Sequence, residues 1–257
     1  MFDNQEQQNF INETEQLVKM GSWKLDLATQ FSEWSEGMFR IYNKDSKKYS
    51  PSILNTFEMM SEEDALIMQT AIKIAIATKE PQKLIYQITC DNYKNKTLEA
   101  NGKAVYNDEG IATHIVGTTI DITERTKLEQ ATKELAQLVE HSTSEVYIVS
   151  ADRHQYLYAN RGGLKNLGYR LDELLMMTIY DINKELTKDE TTSLSVTMKD
   201  KDSIVVSSMH YRKDGTSYPV QAHIQRIVYH DKDAYVIFDT DISELKSVQE
   251  KLHYQAN

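Results

Sequence analysis

The four residues Asp121-Ile122-Thr123-Glu124 return as Asp241-Ile242-Ser243-Glu244, 120 residues further on. A repeat of that length duplicates a whole domain, whereas solenoid arrays recur at about 20–50 residues. In each copy a β-rich run ends at the Asp and a helical pattern begins. The Thr or Ser is the hydroxyl residue expected to cap that helix by accepting one of its orphan backbone N–H groups. The flanking carboxylates suit the positive end of the helix dipole. The chain has 257 residues, room for two domains of roughly 100–150 residues, each with its own core.

Along the chain the pattern predicts a polar helix over 1–19 with a sparse stripe of Phe10, Thr14, Leu17 and Val18. From Ser22 short strands are expected, joined by a hairpin at Ala28-Thr29-Gln30. Ser35 is then expected to cap a short helix, and Ser61-Glu62-Glu63-Asp64 opens a longer one. Three strands follow, Lys83–Asp91, Lys96–Tyr106 and Ile111–Asp121, with turns at Asn92–Asn95 and Asn107–Gly110. The middle strand presents Leu98, Ala100, Gly102 and Ala104 on one face, mostly small residues that leave volume for helix side chains or a ligand. From Glu124 to Ser142, Leu128, Ala131, Leu135 and Leu138 form a short a/d seam. The second half repeats the plan: strands at Val146–Val149 and Tyr156–Ala159, a helix capped by Asn160, short helices over Leu171–Met198, then strands Ile204–Arg212, Ser217–Tyr229 and Ala234–Asp241. After Ser243 the seam restarts with Leu245, Val248 and Leu252.

The junction resembles the Asp-Ile-Thr motif that closes PAS domains. Further resemblance lies in Gly21-Ser22-Trp23 and Trp34-Ser35-Glu36-Gly37-Met38-Phe39 before the first copy. Before the second copy it lies in Tyr158-Ala159-Asn160, Leu167-Gly168-Tyr169, Asp172-Glu173-Leu174 and Tyr211-Arg212-Lys213-Asp214-Gly215. The resemblance implies an α+β chain of two PAS domains, each an antiparallel five-stranded sheet flanked by short helices, joined by an amphipathic linker helix. The expected boundaries are an N-terminal helix over 1–19, PAS domains over 20–123 and 143–242, a linker helix over 124–142, and the start of an output helix over 243–257. Asp121, Thr123, Glu124, Asp241, Ser243 and Glu244 are then the signal-coupling residues. Trp23, Trp34, Tyr86, Ala100, Gly102, Ala104, Tyr147, Asn160, Tyr211 and Ala222 are the ligand-pocket candidates.

The composition is that of an ordinary globular protein: 26% charged, 40% hydrophobic and three prolines. A net charge of −10 with no basic patch speaks against binding nucleic acid or an anionic membrane. The single cysteine, Cys90, fits a reducing compartment, and with no signal-like or spanning segment a cytoplasmic location is expected. No His or Cys motif with metal-ligand spacing, no phosphate-binding glycine loop and no nucleophile elbow is present. The expectation is therefore no catalytic residue, no metal and no enzyme activity in this chain. Among cofactors, a flavin or small organic ligand is compatible with the aromatic residues, Tyr158 among them. A cysteinyl chromophore is disfavoured because Cys90 stands in Ile88-Thr89-Cys90-Asp91, and haem because the long helices lack histidine, leaving only His210 and His223 on strands. The resemblance implies a sensory module that dimerises through its linker helices. Leu252-His253-Tyr254-Gln255-Ala256-Asn257 resembles the linker preceding a diguanylate cyclase (GGDEF) domain, so a cyclase making cyclic di-GMP is the expected output. A histidine-kinase input and a ligand-free dimerisation adaptor are the alternatives.

Overall fold

The computed structural model describes residues 4–90, 95–198 and 201–256. Asp91 and the greater part of the expected turn at Asn92–Asn95 lie outside the described residues, as do the side chains of His253–Asn257. The chain divides into two compact units, 1–131 and 132–257.

The first unit runs α1 (Asn4–Leu17), β1 (Met20–Asp26), β2 (Ser32–Trp34), α2 (Glu36–Tyr42), α3 (Ile53–Phe57), α4 (Glu62–Thr78), β3 (Gln82–Thr89), β4 (Asn95–Tyr106) and β5 (Ala112–Asp121). The helix α5 (Thr123–Glu140) follows. The second unit runs β6 (Glu145–Ser150), β7 (Tyr156–Ala159), α6 (Arg161–Leu167), α7 (Leu171–Leu174), α8 (Ile179–Ile182), α9 (Lys188–Thr197), β8 (Ser203–Tyr211), β9 (Ser217–Tyr229), β10 (Lys232–Asp241) and α10 (Ser243–Ala256). Each unit holds one five-stranded antiparallel sheet, ordered β2-β1-β5-β4-β3 in the first and β7-β6-β10-β9-β8 in the second. The last strand therefore lies at the centre of its sheet, and a helix starts two residues beyond its end. This is the expected α+β architecture, with two five-stranded antiparallel sheets and flanking helices.

Alternation explains which face is buried. On β3, Tyr86 and Ile88 point into a core with Met38, Ile41, Tyr42, Met68, Cys90 and Leu98, while Ile85 and Gln87 face out. On β9, Tyr218 and Val220 join Tyr147, Val149, Tyr156, Leu167, Leu174 and Ile182. Ser61 caps α4 by accepting from the Asp64 N–H at 3.1 Å, and Asn160 caps α6 by accepting from the Gly163 N–H at 2.9 Å. The hairpin between β8 and β9 turns at Gly215, whose φ of +88° lies in the left-handed region that glycine adopts without a Cβ clash.

Two local arrangements differ from the sequence expectation. Ser35 does not cap α2 with its side chain; its hydroxyl donates to Glu15 Oε2 at 2.7 Å. Glu15 Oε2 also accepts from the Gly37 N–H at 3.2 Å, and Oε1 accepts from the Ser22 hydroxyl at 2.7 Å. A carboxylate from α1 thus sits at the N-terminal end of α2, where free N–H groups attract an anion. The apolar stripe of α1 stays in solvent, Phe10 and Leu17 at 60% and 85% exposure, while Glu15 is buried. What fastens α1 to this unit is polar.

The second difference concerns the small residues of β4. Gly102 is paired with Gly117 of β5, which is itself paired with Trp23 of β1. The Trp23 indole lies on this glycine pair and donates to Thr119 Oγ1 at 2.9 Å. A Cβ at Gly102 would come within 2.9 Å of Trp23 Cη2, and one at Gly117 within 2.6 Å of Cζ2. The volume left by the glycines is therefore largely taken by an indole. Gly102→Leu is expected to destabilise the first unit by about 1–3 kcal/mol through overpacking, lowering its melting temperature by about 4–8 °C per kcal/mol. Thermal unfolding of the variant checks this, and a raised midpoint would contradict it.

Candidate functional site

At the end of β5 the Asp121 N–H donates to Lys19 O and the Ile122 N–H to Thr97 O, both at 3.0 Å. Asp121 Oδ1 accepts from the Thr123 N–H at 3.0 Å and from its hydroxyl. The second junction repeats this: Ile242 N–H donates to Pro219 O at 3.0 Å, and Asp241 Oδ1 accepts from the Ser243 N–H at 2.8 Å and from its hydroxyl. The expected roles are thus reversed: the Asp supplies the acceptor at the helix start, and the hydroxyl residue donates. Thr123 Oγ1 in addition accepts from the Thr97 N–H at 3.0 Å. Its counterpart Ser243 lacks that bond because Pro219 has no N–H. Glu124 pairs with Lys19, while Glu244 is exposed in the first turn of α10.

The first unit encloses a cavity of about 70 Å³ lined by Trp23, Trp34, Tyr86, Ala100 and Gly102 among others. Ala104, opposite Ile115 further along β4, is not part of its lining. The Tyr42 and Tyr86 hydroxyls pair at 2.9 Å on its buried side. Ligand pockets for drug-sized molecules span about 300–1,000 Å³, so this space as it stands is far below the size of a flavin ring system.

The second unit holds a cavity of about 620 Å³. Its apolar walls come from Tyr147, Tyr156, Ile179, Leu194, Tyr235 and Ile237, and Ala222 and Ile224 of β9 lie on its sheet side. Two other candidates serve elsewhere. Asn160 is fully buried but bonded at every polar atom: Oδ1 accepts from the N–H groups of Val146 and Gly163, and Nδ2 donates to Val139 O and Ser144 O. Tyr211 is not part of the lining; its hydroxyl donates at 3.1 Å to Glu185, which is.

The polar part of this cavity is acidic. Asp239 of β10 stands directly opposite Glu145 of β6 in the ladder, so two buried carboxylates share one face; like charges placed so are destabilising. His210 of β8 lies between them, Nδ1 at 3.7 Å from Glu145 Oε2 and Nε2 at 3.6 Å from Asp239 Oδ2. Glu145 is well satisfied: Oε2 accepts from the Tyr147 and Tyr218 hydroxyls at 2.7 and 2.8 Å, and Oε1 from Asn166. Burial alone would raise its carboxyl, but His210, Tyr147 and Asn166 together hold it below the usual range. Asp239 has no such donors. Burial pushes it up to about 7, with His210 opposing and Glu145 reinforcing the rise. Asp239 Oδ1, His210 Nδ1 and Asn183 Oδ1 are buried without a hydrogen-bond partner, and all three residues line the cavity.

The ligating atoms of Glu145, His210 and Asp239 lie within 4.8 Å of one another. Because a carboxylate faces each imidazole nitrogen and Glu145 is already occupied, they form a polar array across three strands more than a convergent metal-ligand set. Sequence reasoning singled out His210 only as a strand histidine and missed Glu145, Asn183 and Asp239. The available signal was polar residues at inward positions of alternating strands, Ser208 and His210 after Val206, and Asp239 after Tyr235 and Ile237.

The family model for the PAS domain matches residues 144–244, the unit that carries this cavity. Over those residues the chain is similar to PAS domains. No curated protein matches the chain. Among solved structures, an RNA-binding Light-Oxygen-Voltage receptor is similar at 10% identity and TM-score 0.41, over 92% of this chain and 99% of the other. A sensory box histidine kinase/response regulator from Burkholderia thailandensis is similar at 17% identity and TM-score 0.43, over 49% and 95%. The N-terminal domain of a diguanylate cyclase with PAS/PAC sensor from Marinobacter aquaeolei is similar at 15% identity and TM-score 0.38, over 42% and 98%. No helix among the described residues is long and apolar enough to cross a membrane.

Asp239 fixes a pH dependence. Burial pushes its carboxyl up to about 7 in the folded second unit, against about 3.9 when unfolded, so the folded state holds the extra proton between those values. Its contribution to stability is therefore fully present at low pH and lost as pH rises toward 7 and beyond, by a few kcal/mol in total. Asp239→Asn is expected to flatten this loss. Urea unfolding of both proteins at pH 5 and pH 8 measures it; an unchanged difference between the two pH values would refute the assignment.

Proposed function

We propose that the chain is a sensory module of a signal-transduction protein, in which the second unit binds a small molecule and passes its occupancy to α10. The observation that carries this reading is the 620 Å³ cavity with three unpaired buried polar atoms, in the domain that matches the PAS family. Ligand pockets of this size present a few fixed polar groups within apolar walls.

The same residues offer a route outward. Asp239 lies two residues before Asp241 on β10. His210 approaches Asp239 and Glu145, Glu145 accepts from Tyr218, and the Arg212 guanidinium lies 4.0 Å above the Tyr218 ring and 3.9 Å from Asp241. A ligand that rearranges the array changes what Arg212 and Asp241 hold, and Asp241 starts α10. The mechanism is a shift between two populations of the helix, driven by the ligand's different affinity for each. The first unit, with its filled interior, acts as a second PAS domain transmitting through Asp121 and α5. The output is of the diguanylate cyclase kind, a reading supported by the likeness of Leu252–Asn257 to the linker of such enzymes. The module works in the cytoplasm.

With the chain fused through α10 to a diguanylate cyclase domain, Ala222→Leu, which narrows the cavity, and Arg212→Ala, which cuts the route, are each expected to change the cyclase rate severalfold while leaving the sheet's thermal transition in place. A rate unchanged by both would defeat the sensory reading.

Pairing with a second copy belongs to the same mechanism. Leu135 and Leu138 of α5 are 64% and 70% exposed, and Leu245, Val248 and Leu252 of α10 are also exposed. Seams of two heptads bury little surface, so the association is weak and concentration-dependent. Leu135→Glu with Leu138→Glu is expected to shift sedimentation toward the monomer without unfolding either unit; a wild-type chain that is monomeric at high concentration would exclude pairing through this seam.

A further inference from the structure

The charge of the second unit's cavity is one-sided. Asp239 is buried in it, and Glu185, Asp189 and Glu190 line its outer part. Its other titratable lining residues are the histidines His154 and His210 and the tyrosines, and no lysine or arginine lines it among the described residues. The nearby Lys184 is engaged elsewhere, over the Tyr211 ring. Behind the lining, Glu145 adds a second buried carboxylate directly opposite Asp239.

The hydrogen-bonding inventory leans the same way. Asp239 Oδ1 and Asn183 Oδ1 can only accept, apart from the proton Asp239 itself takes up, and both are unpaired at 1% and 9% residue exposure. Asn183 has its orientation fixed, because Nδ2 donates to the Ser208 hydroxyl, which leaves its carbonyl oxygen as the free end. Buried acceptors without donors are costly until a partner arrives. The apolar walls are aromatic: Tyr147, Tyr156 and Tyr235 line the same space, and aromatic faces attract cations. A volume of about 620 Å³ exceeds the need of a bare ion and suits an organic molecule.

We propose that this cavity binds a small organic cation, an aromatic molecule carrying a protonated nitrogen, whose N–H groups donate to Asp239 and Asn183 while its ring lies among the tyrosines. Acidic residues at the outer part draw the cation in, and the excess of acceptors selects it over an anion of the same shape. This inference rests on the cavity being the sensing site and adds the class of ligand.

The test uses three molecules that share one ring and differ in charge: tryptamine, a cation; tryptophol, neutral; and indole-3-acetate, an anion. Isothermal titration of the full 257-residue chain at pH 7.5 is expected to give tryptamine a Kd at least tenfold below that of tryptophol, with indole-3-acetate weakest. Asp239→Asn keeps the side chain's shape and removes its charge, so it should bring tryptamine to within about threefold of tryptophol while leaving tryptophol binding in place. Ala222→Leu, which extends a side chain into the cavity from β9, should weaken tryptamine binding severalfold. The inference is overturned if tryptamine fails to bind at millimolar concentration, if indole-3-acetate binds as tightly, if Asp239→Asn preserves the preference, or if Ala222→Leu leaves tryptamine binding intact. Equal binding of all three probes would remove the charge class alone and leave the sensory reading, which falls instead when the fused cyclase ignores both cavity and route variants.

Discussion

A single aspartate at the end of the central strand sets the direction in which each helix leaves its sheet. Asp121 and Asp241 each take the N–H and the hydroxyl of the residue two positions on, closing a tight ring between strand and helix. The intervening isoleucine N–H returns to a neighbouring strand. Three consecutive residues are thereby tied to the sheet's hydrogen-bond pattern, and the helix start cannot turn without disturbing it. The first junction carries one more tie, from the Thr97 N–H to Thr123, which Pro219 denies to the second. The second exit is held by fewer bonds.

Two sheets of the same topology have resolved their interiors in opposite ways. The first lays the Trp23 indole on Gly102 and Gly117 and satisfies its N–H with Thr119, a packed and hydrogen-bonded solution. The second keeps two opposed carboxylates, an imidazole and an amide oxygen around an open space. Each unpaired buried polar atom costs about 1–3 kcal/mol, and a stable fold tolerates several only when something else compensates them. The large set of donors on Glu145 anchors one end of the array, so the strain is gathered at Asp239.

Periodicity made the sheets and helices legible, and with them the α+β class, because inward residues alternate on strands such as β3 and β9. The repeated junction was legible as a motif, yet its chemistry was inverted: a sequence names the hydroxyl of Thr123 without saying whether it donates or accepts. Ser35 was misread for the same reason, its partner Glu15 lying on a different helix. The acidic array escaped because it arises from register. Glu145, His210 and Asp239 belong to three strands far apart in sequence, and only the pairing of β6 with β10 and the reach of His210 across β9 bring them together. The small residues of β4 were read as room for helix side chains or a ligand, since nothing local in Gly102 reveals that Trp23 lies over it.

The first strand of each sheet lies antiparallel beside the last, so that Met20 meets Ile120 and Glu145 meets Asp239. The first strand of each sheet therefore begins at the end where the last one finishes, and α5, which follows the first sheet, precedes the second. Units of this kind behave as cassettes: one can be added to or removed from a series without rerouting the chain, since whatever precedes and whatever follows meet at one doorway. An interior as packed as the first or as open as the second can then be exchanged for another while the way in and out of the sheet stays the same.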